Sequence, residues 1–201
     1  MHATETSGDS EGILDAAEQL IRTKGAEGWS LADLAASAGV PAADVHARFG
    51  SEWEVFCNVI RRDEEHWMAA IREAPYESGT DRVMHLLKAC VPDYDWTYWI
   101  ELWSLALRDE RAAKLREELD QTFRALIEEL VRGGVESGEF AVEDTRSVAI
   151  TIATLIDSMA LQATLGDTTI RPNYMLDACV SVTGTLLGKT LSLPQLEKGG
   201  S

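Results

Sequence analysis

The residues best suited to chemistry lie between positions 94 and 103. Trp96, Trp99 and Trp103 recur at i, i+3 and i+7, with Tyr94 and Tyr98 beside them. On a helix that spacing makes one aromatic face, which either packs in a core or walls a cavity. Core packing is the commoner use of such a stripe. As a wall, indole faces near a carboxylate suit a planar aromatic or cationic molecule, through cation–π attraction of about 0.5–2 kcal/mol per contact. Asp93, Asp95, Glu101 and Asp157 are the carboxylates on offer. Asp157 stands out because it interrupts the apolar run from Ser147 to Gly166.

Other chemistry is harder to build. The run Asp63-Glu64-Glu65-His66 has metal-ligating residue types, but no second cluster sits at a diagnostic spacing, so a solvated helix face is the simpler reading. His85 reads as a packed helix residue. Cys57, Cys90 and Cys179 are far apart and odd in number, which fits buried thiols in a reducing compartment. Gly28-Trp29-Ser30-Leu31-Ala32 lacks the second glycine of a nucleophile elbow, and Gly133, Gly134 and Gly138 follow no strand. The expectation is a protein that is not an enzyme, with no cofactor and no metal.

Composition narrows the class further. The 201 residues are 45% hydrophobic and 26% charged, enough for a packed core. Acidic residues outnumber basic ones 34 to 18, for a net charge of −16. Such a chain does not coat polyanions indiscriminately. Residues 145–201 are neutral, with Arg146, Arg171, Lys189 and Lys198 set against Asp157, Asp167, Asp177 and Glu197. An apolar, neutral C-terminal quarter on an acidic body reads as a surface meant to be covered. Residues 1–10 are polar and acidic, unlike a signal peptide, and read as a flexible tail, as do residues 193–201. With Asp157 at its centre, the 147–166 run is not expected to span lipid. A cytoplasmic protein is the expected result.

Helical periodicity positions these residues, and nothing alternates like a strand for long. Ile13, Ala17, Leu20 and Ile21 share one face of a helix over about 11–24, ended by Gly25. Ser30 with Asp33, and Ser51 with Glu54, have the spacing of capping boxes. Pro41 suits the first residue of a short helix to Arg48, where its missing N–H is not needed. Further helices are expected over 79–91 and 93–108, split at Pro92, then 109–132, 144–165 and 173–189. Leu115, Leu119, Phe123, Leu126, Ile127 and Leu130 form the stripe of the long one, while Gly133, Gly134 and Gly138 read as a loop. The class is all-α, with about nine helices.

Within the first 70 residues, a helix, a second helix, a three-residue turn at Gly39 and a short third helix make a helix-turn-helix. Ala35 and Val45 can pack across the turn, with Val40 between them. The outer face of residues 41–48 is then left for a major groove. The run Ile13-Leu14-Asp15-Ala16-Ala17, Gly25, Ser30-Leu31-Ala32-Asp33-Leu34-Ala35, Ala38-Gly39-Val40 and Phe49-Gly50-Ser51 resembles the N-terminal domain of the TetR family of transcriptional repressors. Tyr98-Trp99-Ile100-Glu101-Leu102-Trp103, Ala106-Leu107-Arg108-Asp109 and Gly138-Glu139-Phe140 are similar to the C-terminal domain of its BetI-like members.

That resemblance implies a DNA-binding domain over 11–52, with its helix-turn-helix at about 30–49, and a ligand-binding and dimerisation domain over 53–192. It implies a homodimer on a two-fold symmetric double-stranded operator, released by a small-molecule effector. Ser30, Pro41, Ala42, Ala43, His46, Ala47, Arg48 and Ser51 are the expected DNA contacts. Trp67, Trp96, Trp99, Trp103, Phe123 and Asp157 are the expected effector contacts, for an apolar or aromatic ligand with room for one cationic group. Ala149, Ala153, Gly184 and Gly188 are expected to let helices approach closely at the dimer seam. Many family members carry lysine, threonine, tyrosine and lysine where this chain has Ala42, Asp44, His46 and Glu52. Residues 30–53 hold one arginine or lysine, Arg48, which makes it the best guanine or phosphate donor, and the N-termini at Ser30, Pro41 and Ser51 can offer backbone N–H groups to phosphates. A ligand-binding dimer that has lost operator binding and acts through a protein partner is the alternative reading.

Overall fold

The computed structural model describes residues 5–90 and 95–193. Pro92, Asp93 and Tyr94, and the segment from residue 194 onwards, lie outside the described residues. Nine α-helices and no strand occur among the described residues: α1 Glu5–Lys24, α2 Leu31–Ala38, α3 Ala42–Phe49, α4 Glu52–Glu73, α5 Gly79–Ala89, α6 Thr97–Ala106, α7 Glu110–Glu136, α8 Thr145–Thr164 and α9 Pro172–Leu186. They form two compact units. The first takes residues up to Trp67 together with Thr97–Glu117, and the second takes Met68–Trp96 with the chain from Glu118 onwards. This division differs from the sequential boundary expected at residues 52 and 53.

In the first unit, α1 begins at Glu5, inside the segment read as a tail. The side chain of Ser10 accepts a hydrogen bond from Arg48 Nη1 at 2.9 Å, which ties that first stretch to α3. Ile13, Ala17, Ile21, Leu34, Ala35, Val45, Val55 and Phe56 are buried and form the core of the three-helix head. Arg62 of α4 binds three carboxylates of α1, those of Glu11, Asp15 and Glu18, at 3.0, 2.9 and 3.2 Å. From α6, Tyr98 accepts a hydrogen bond from Arg22 Nε at 2.8 Å. Glu101 Oε2 accepts one from the Ala26 N–H at 3.2 Å. Gly25, at φ +77°, leaves room for the Glu101 carboxylate where a Cβ would stand 3.2 Å from its Oε1. Burial holds the Tyr98 hydroxyl well above the ordinary tyrosine range.

In the second unit, α7 runs on through Gly133 and Gly134, which were expected in a loop. Packing explains the difference. The Phe140 ring occupies the space that a side chain on Gly134 would need, so glycine is retained for close approach rather than for a turn. Glu139 then caps the start of α5. It accepts from the Gly79 N–H at 2.6 Å and from the Thr80 N–H and hydroxyl at 3.1 and 2.8 Å. These bonds, the Thr80 hydroxyl foremost, hold the Glu139 carboxyl down to about 2.

A carboxyl held low in the folded state stabilises the fold above its ordinary value of 4.5, and that contribution is lost as the pH falls towards 2. Glu139→Gln is therefore expected to lower stability by about 1 kcal/mol at pH 7, through the weakened capping bonds. The gap from the parent should shrink at pH 3. Urea midpoints at the two pH values check this, and an equal gap at both would refute it.

α8 is the one helix among the described residues long and apolar enough, by length and composition, to cross a membrane. Its Ala149, Ile152, Ala153, Ile156 and Ala160 are packed inside the second unit.

Candidate nucleic-acid interface and effector residues

The head is built locally as its sequence dictates. Ser30 and Asp33 form the full capping box that opens α2: the Ser30 hydroxyl accepts from the Asp33 N–H at 3.1 Å, and Asp33 Oδ2 accepts from the Ser30 N–H at 2.9 Å. The Ser30 bonds keep the Asp33 carboxyl below its ordinary range. Gly39, at φ +69°, ends α2 in the left-handed conformation that glycine adopts without strain. Pro41 sits one position earlier than expected, as the cap before α3, and no side chain caps that start. Ser51 Oγ accepts from the Glu54 N–H at 3.3 Å and opens α4.

Val45 is fully buried, so α3 turns its other side outward. Pro41, Ala42, Ala43, Asp44, His46 and Ala47 are all exposed. Two expectations need correction. Arg48 is half-buried and donates to Ser10 rather than standing out from the recognition helix, because it lies next to Val45 and Phe49 on the inward side. The start of α2 is not an open set of N–H groups either. Glu52 Oε1 accepts the Leu31 N–H at 3.0 Å, and the Ser30 and Asp33 N–H groups are taken by the capping box. An internal carboxylate thus accepts one of the N–H groups at the start of α2.

The expected effector residues divide between the units. Trp67, Trp99 and Trp103 belong to the first, where Trp99 is buried and the other two are half-buried. Trp96, Phe123 and Asp157 belong to the second. Trp96 precedes α6, so it is not one turn of the same helical stripe. It is buried, and its Nε1 donates to the Cys90 carbonyl at 3.3 Å. Phe123 and Asp157 are half-buried. Of the other carboxylates considered, Glu101 is engaged with Ala26 and Asp95 is half-buried.

Sequence reasoning missed two buried carboxylates. Glu64 was placed on a solvated face, yet it is only 8% exposed. It shares the Cys57, Ile60, Trp67 side of α4, a 3–4–3 spacing that could have found it. Asp120 is equally buried in the second unit and accepts from Arg124 Nη2 at 3.4 Å. It stands in register with Phe123 and Ile127. All three cysteines are buried and unpaired with one another. Burial pushes the Cys57 and Cys179 thiols up to about 11.

The small residues expected at a seam are used within the protomer. Ala149 and Ala153 are buried. A Cβ on Gly184 would stand 2.6 Å from the Lys189 carbonyl oxygen, because the chain after α9 folds back over it. What α8, α9 and the turn between them expose instead is Ile150, Leu165, Tyr174 and Val182, four of the five large apolar side chains left open among the described residues.

No curated protein matches the sequence. Among solved structures, a TetR transcription regulator from Haloarcula marismortui is 19% identical, with a TM-score of 0.78 over 92% of this chain and 100% of that one. A candidate TetR-family regulator from Rhodococcus sp. is 16% identical, with a TM-score of 0.80 over 90% and 99%. A candidate transcriptional regulator from Saccharomonospora viridis in complex with choline is 20% identical, with a TM-score of 0.73 over 86% and 94%. At these identities the likeness is one of fold. The family model for bacterial regulatory proteins of the tetR family matches residues 13–56. The model for the C-terminal domain of BetI-type transcriptional repressors matches residues 79–188, more than half of the chain. With its helix-turn-helix head and all-helical body, the chain belongs to the TetR family of transcriptional regulators and carries a BetI-type C-terminal domain.

Proposed function

We propose that this protein is a cytoplasmic, ligand-responsive repressor that binds a two-fold symmetric operator as a homodimer and leaves it when a small molecule binds. The outward face of α3, held by the buried Val45 anchor and the Gly39 turn, carries the reading. Two such faces on one dimer would meet half-sites about one helical turn apart. The apolar side chains exposed on α8, on α9 and in the turn between them support dimerisation through that end. The test is recovery of genomic DNA fragments by the purified protein at low salt, with and without cell extract. Recovery of a discrete palindromic sequence, lost on adding extract, is the expected result.

The effector is proposed to be apolar or aromatic, with room for one cationic group, and to contact Trp99 and Trp103. The aromatic side chains fit cation–π recognition, and the Saccharomonospora viridis relative holds choline, a cation. Binding would shift operator affinity by its differential affinity for two states, commonly 1–3 kcal/mol. Trp99→Phe and Trp103→Phe are expected to reduce the tryptophan fluorescence response to a ligand, with choline as the first probe, while the protein stays dimeric. If neither replacement alters the response to a compound that releases DNA, these two rings are core only.

One observation favours a second reading. The Arg48 guanidinium is bound to Ser10 and the Leu31 N–H to Glu52, so two groups expected to meet DNA are engaged inside the head. A dimer acting through a protein partner would need neither. Absence of any salt-dependent DNA binding, together with ligand binding, would select this second reading.

A further inference from the structure

We infer that the head reads the pyrimidine edges of its operator, chiefly thymine methyl groups, and that α3 carries no outward arginine or lysine to anchor guanine. The inference rests on the operator-binding reading above, and concerns what the outward face of α3 can recognise there. That face presents Pro41, Ala42, Ala43, Asp44, His46 and Ala47, all exposed. Guanine is usually read by an arginine or lysine that donates two hydrogen bonds to O6 and N7. The only such side chain on α3 is Arg48, and it lies on the inward side, donating from Nη1 to Ser10 Oγ at 2.9 Å.

What remains outside is matched to the other strand. Alanine side chains at 42, 43 and 47 let the helix come close and offer methyl groups, which pack against the thymine C5-methyl in the major groove. Asp44 has only acceptors when ionised. In the major groove its donors are the cytosine N4 and adenine N6 amino groups; adenine sets its N7 acceptor beside that donor, and guanine presents only the O6 and N7 acceptors, so cytosine is the favoured partner. Thymine C5 and cytosine N4 both belong to the pyrimidine edge. A face of three exposed alanines, one carboxylate and the imidazole of His46, which can offer guanine one hydrogen bond but not the paired donors of arginine, therefore favours a run of pyrimidines on one strand.

Selection from a random-sequence duplex library by the full-length protein, at about 50 mM salt, tests this. Half-sites sharing a pyrimidine run are expected. The selected duplex is then remade with deoxyuridine for thymidine, and separately with 7-deazaguanine for guanine. Each contacted methyl removed should weaken binding about fourfold, the worth of one buried methyl-sized group. The 7-deaza duplex should bind within about twofold of the parent. Ala47→Arg should move the preferred base towards guanine at one position per half-site. Uracil-containing DNA that binds as well as the parent, or a 7-deaza duplex weakened about tenfold, would overturn the inference while leaving operator binding intact. No enriched sequence at all would remove the operator-binding reading itself, and this inference with it.

Discussion

Replacing Asp44 by threonine and Glu52 by lysine is expected to tighten operator binding by on the order of tenfold for each change, at about 100 mM salt. The two positions act differently. Asp44 is exposed on α3 and places a carboxylate on the helix face that would enter the groove. Threonine there takes away repulsion from the phosphates and keeps an oxygen that can accept from the cytosine N4 amino group, without adding a phosphate contact. Glu52 opens α4 and holds the Leu31 N–H at 3.0 Å. Lysine there reverses the charge and also releases that N–H for a phosphate oxygen. The salt dependence should reveal the difference: one added phosphate contact steepens the slope of log affinity against log salt by about one. Only the Glu52→Lys protein should show that steepening. Fluorescence anisotropy across a salt series measures both effects. Unchanged affinity at low salt would mean that this face of the head does not meet DNA.

The second large effect is expected at the other end of the chain. Ile150 and Val182 are 41% and 38% exposed, and each is a branched apolar side chain, one on α8 and the other on α9. Stable symmetric interfaces bury about 2,000 Å² or more and are apolar at their centre. A two-fold axis presents each of these residues twice, so Ile150→Arg with Val182→Arg would add four cations to the dimer seam. The double variant is expected to sediment as a folded monomer at micromolar concentration, with the helical circular dichroism of the parent. Its operator affinity should fall by about a hundredfold or more, since two linked heads bind far better than one. A variant that remains dimeric would place the interface elsewhere.

Most of the fold is legible in the sequence, because helical periodicity and caps are local signals. Ser30 with Asp33, Gly25, Gly39 and Gly50 mark boundaries within one or two residues of where the chain turns. The errors come where distant residues decide. Gly133 and Gly134 look like a loop until Phe140 is seen filling the space beside Gly134. Ala149, Ala153 and Gly184 look like a seam between molecules until the same molecule uses them. The site is less legible still. His46 and the alanines stand outward as their spacing implies, but no pattern in the sequence says that Arg48 will reach Ser10 or that Glu52 will reach Leu31. Those contacts join residues 38 and 21 positions apart, and depend on how three helices close. Glu64 could have been found from its register, whereas the run of charges around it pointed the other way.

The hydrogen bonds that Tyr98 and Glu101 of α6 accept from Arg22 and Ala26 also bear on how the head is made. During synthesis Tyr98 and Glu101 are added only after the first 67 residues of their unit have been made. Until then Arg22 lacks its phenolic acceptor, and the Ala26 N–H lacks the carboxylate that later closes over Gly25. Elongation at about 5–20 residues per second opens an interval of seconds in which the nascent head is incomplete. Folding of the head is therefore bound to elongation well past its own helix-turn-helix. A chain that stalls before Glu101 would present a nascent head without those tethers, open to proteolysis.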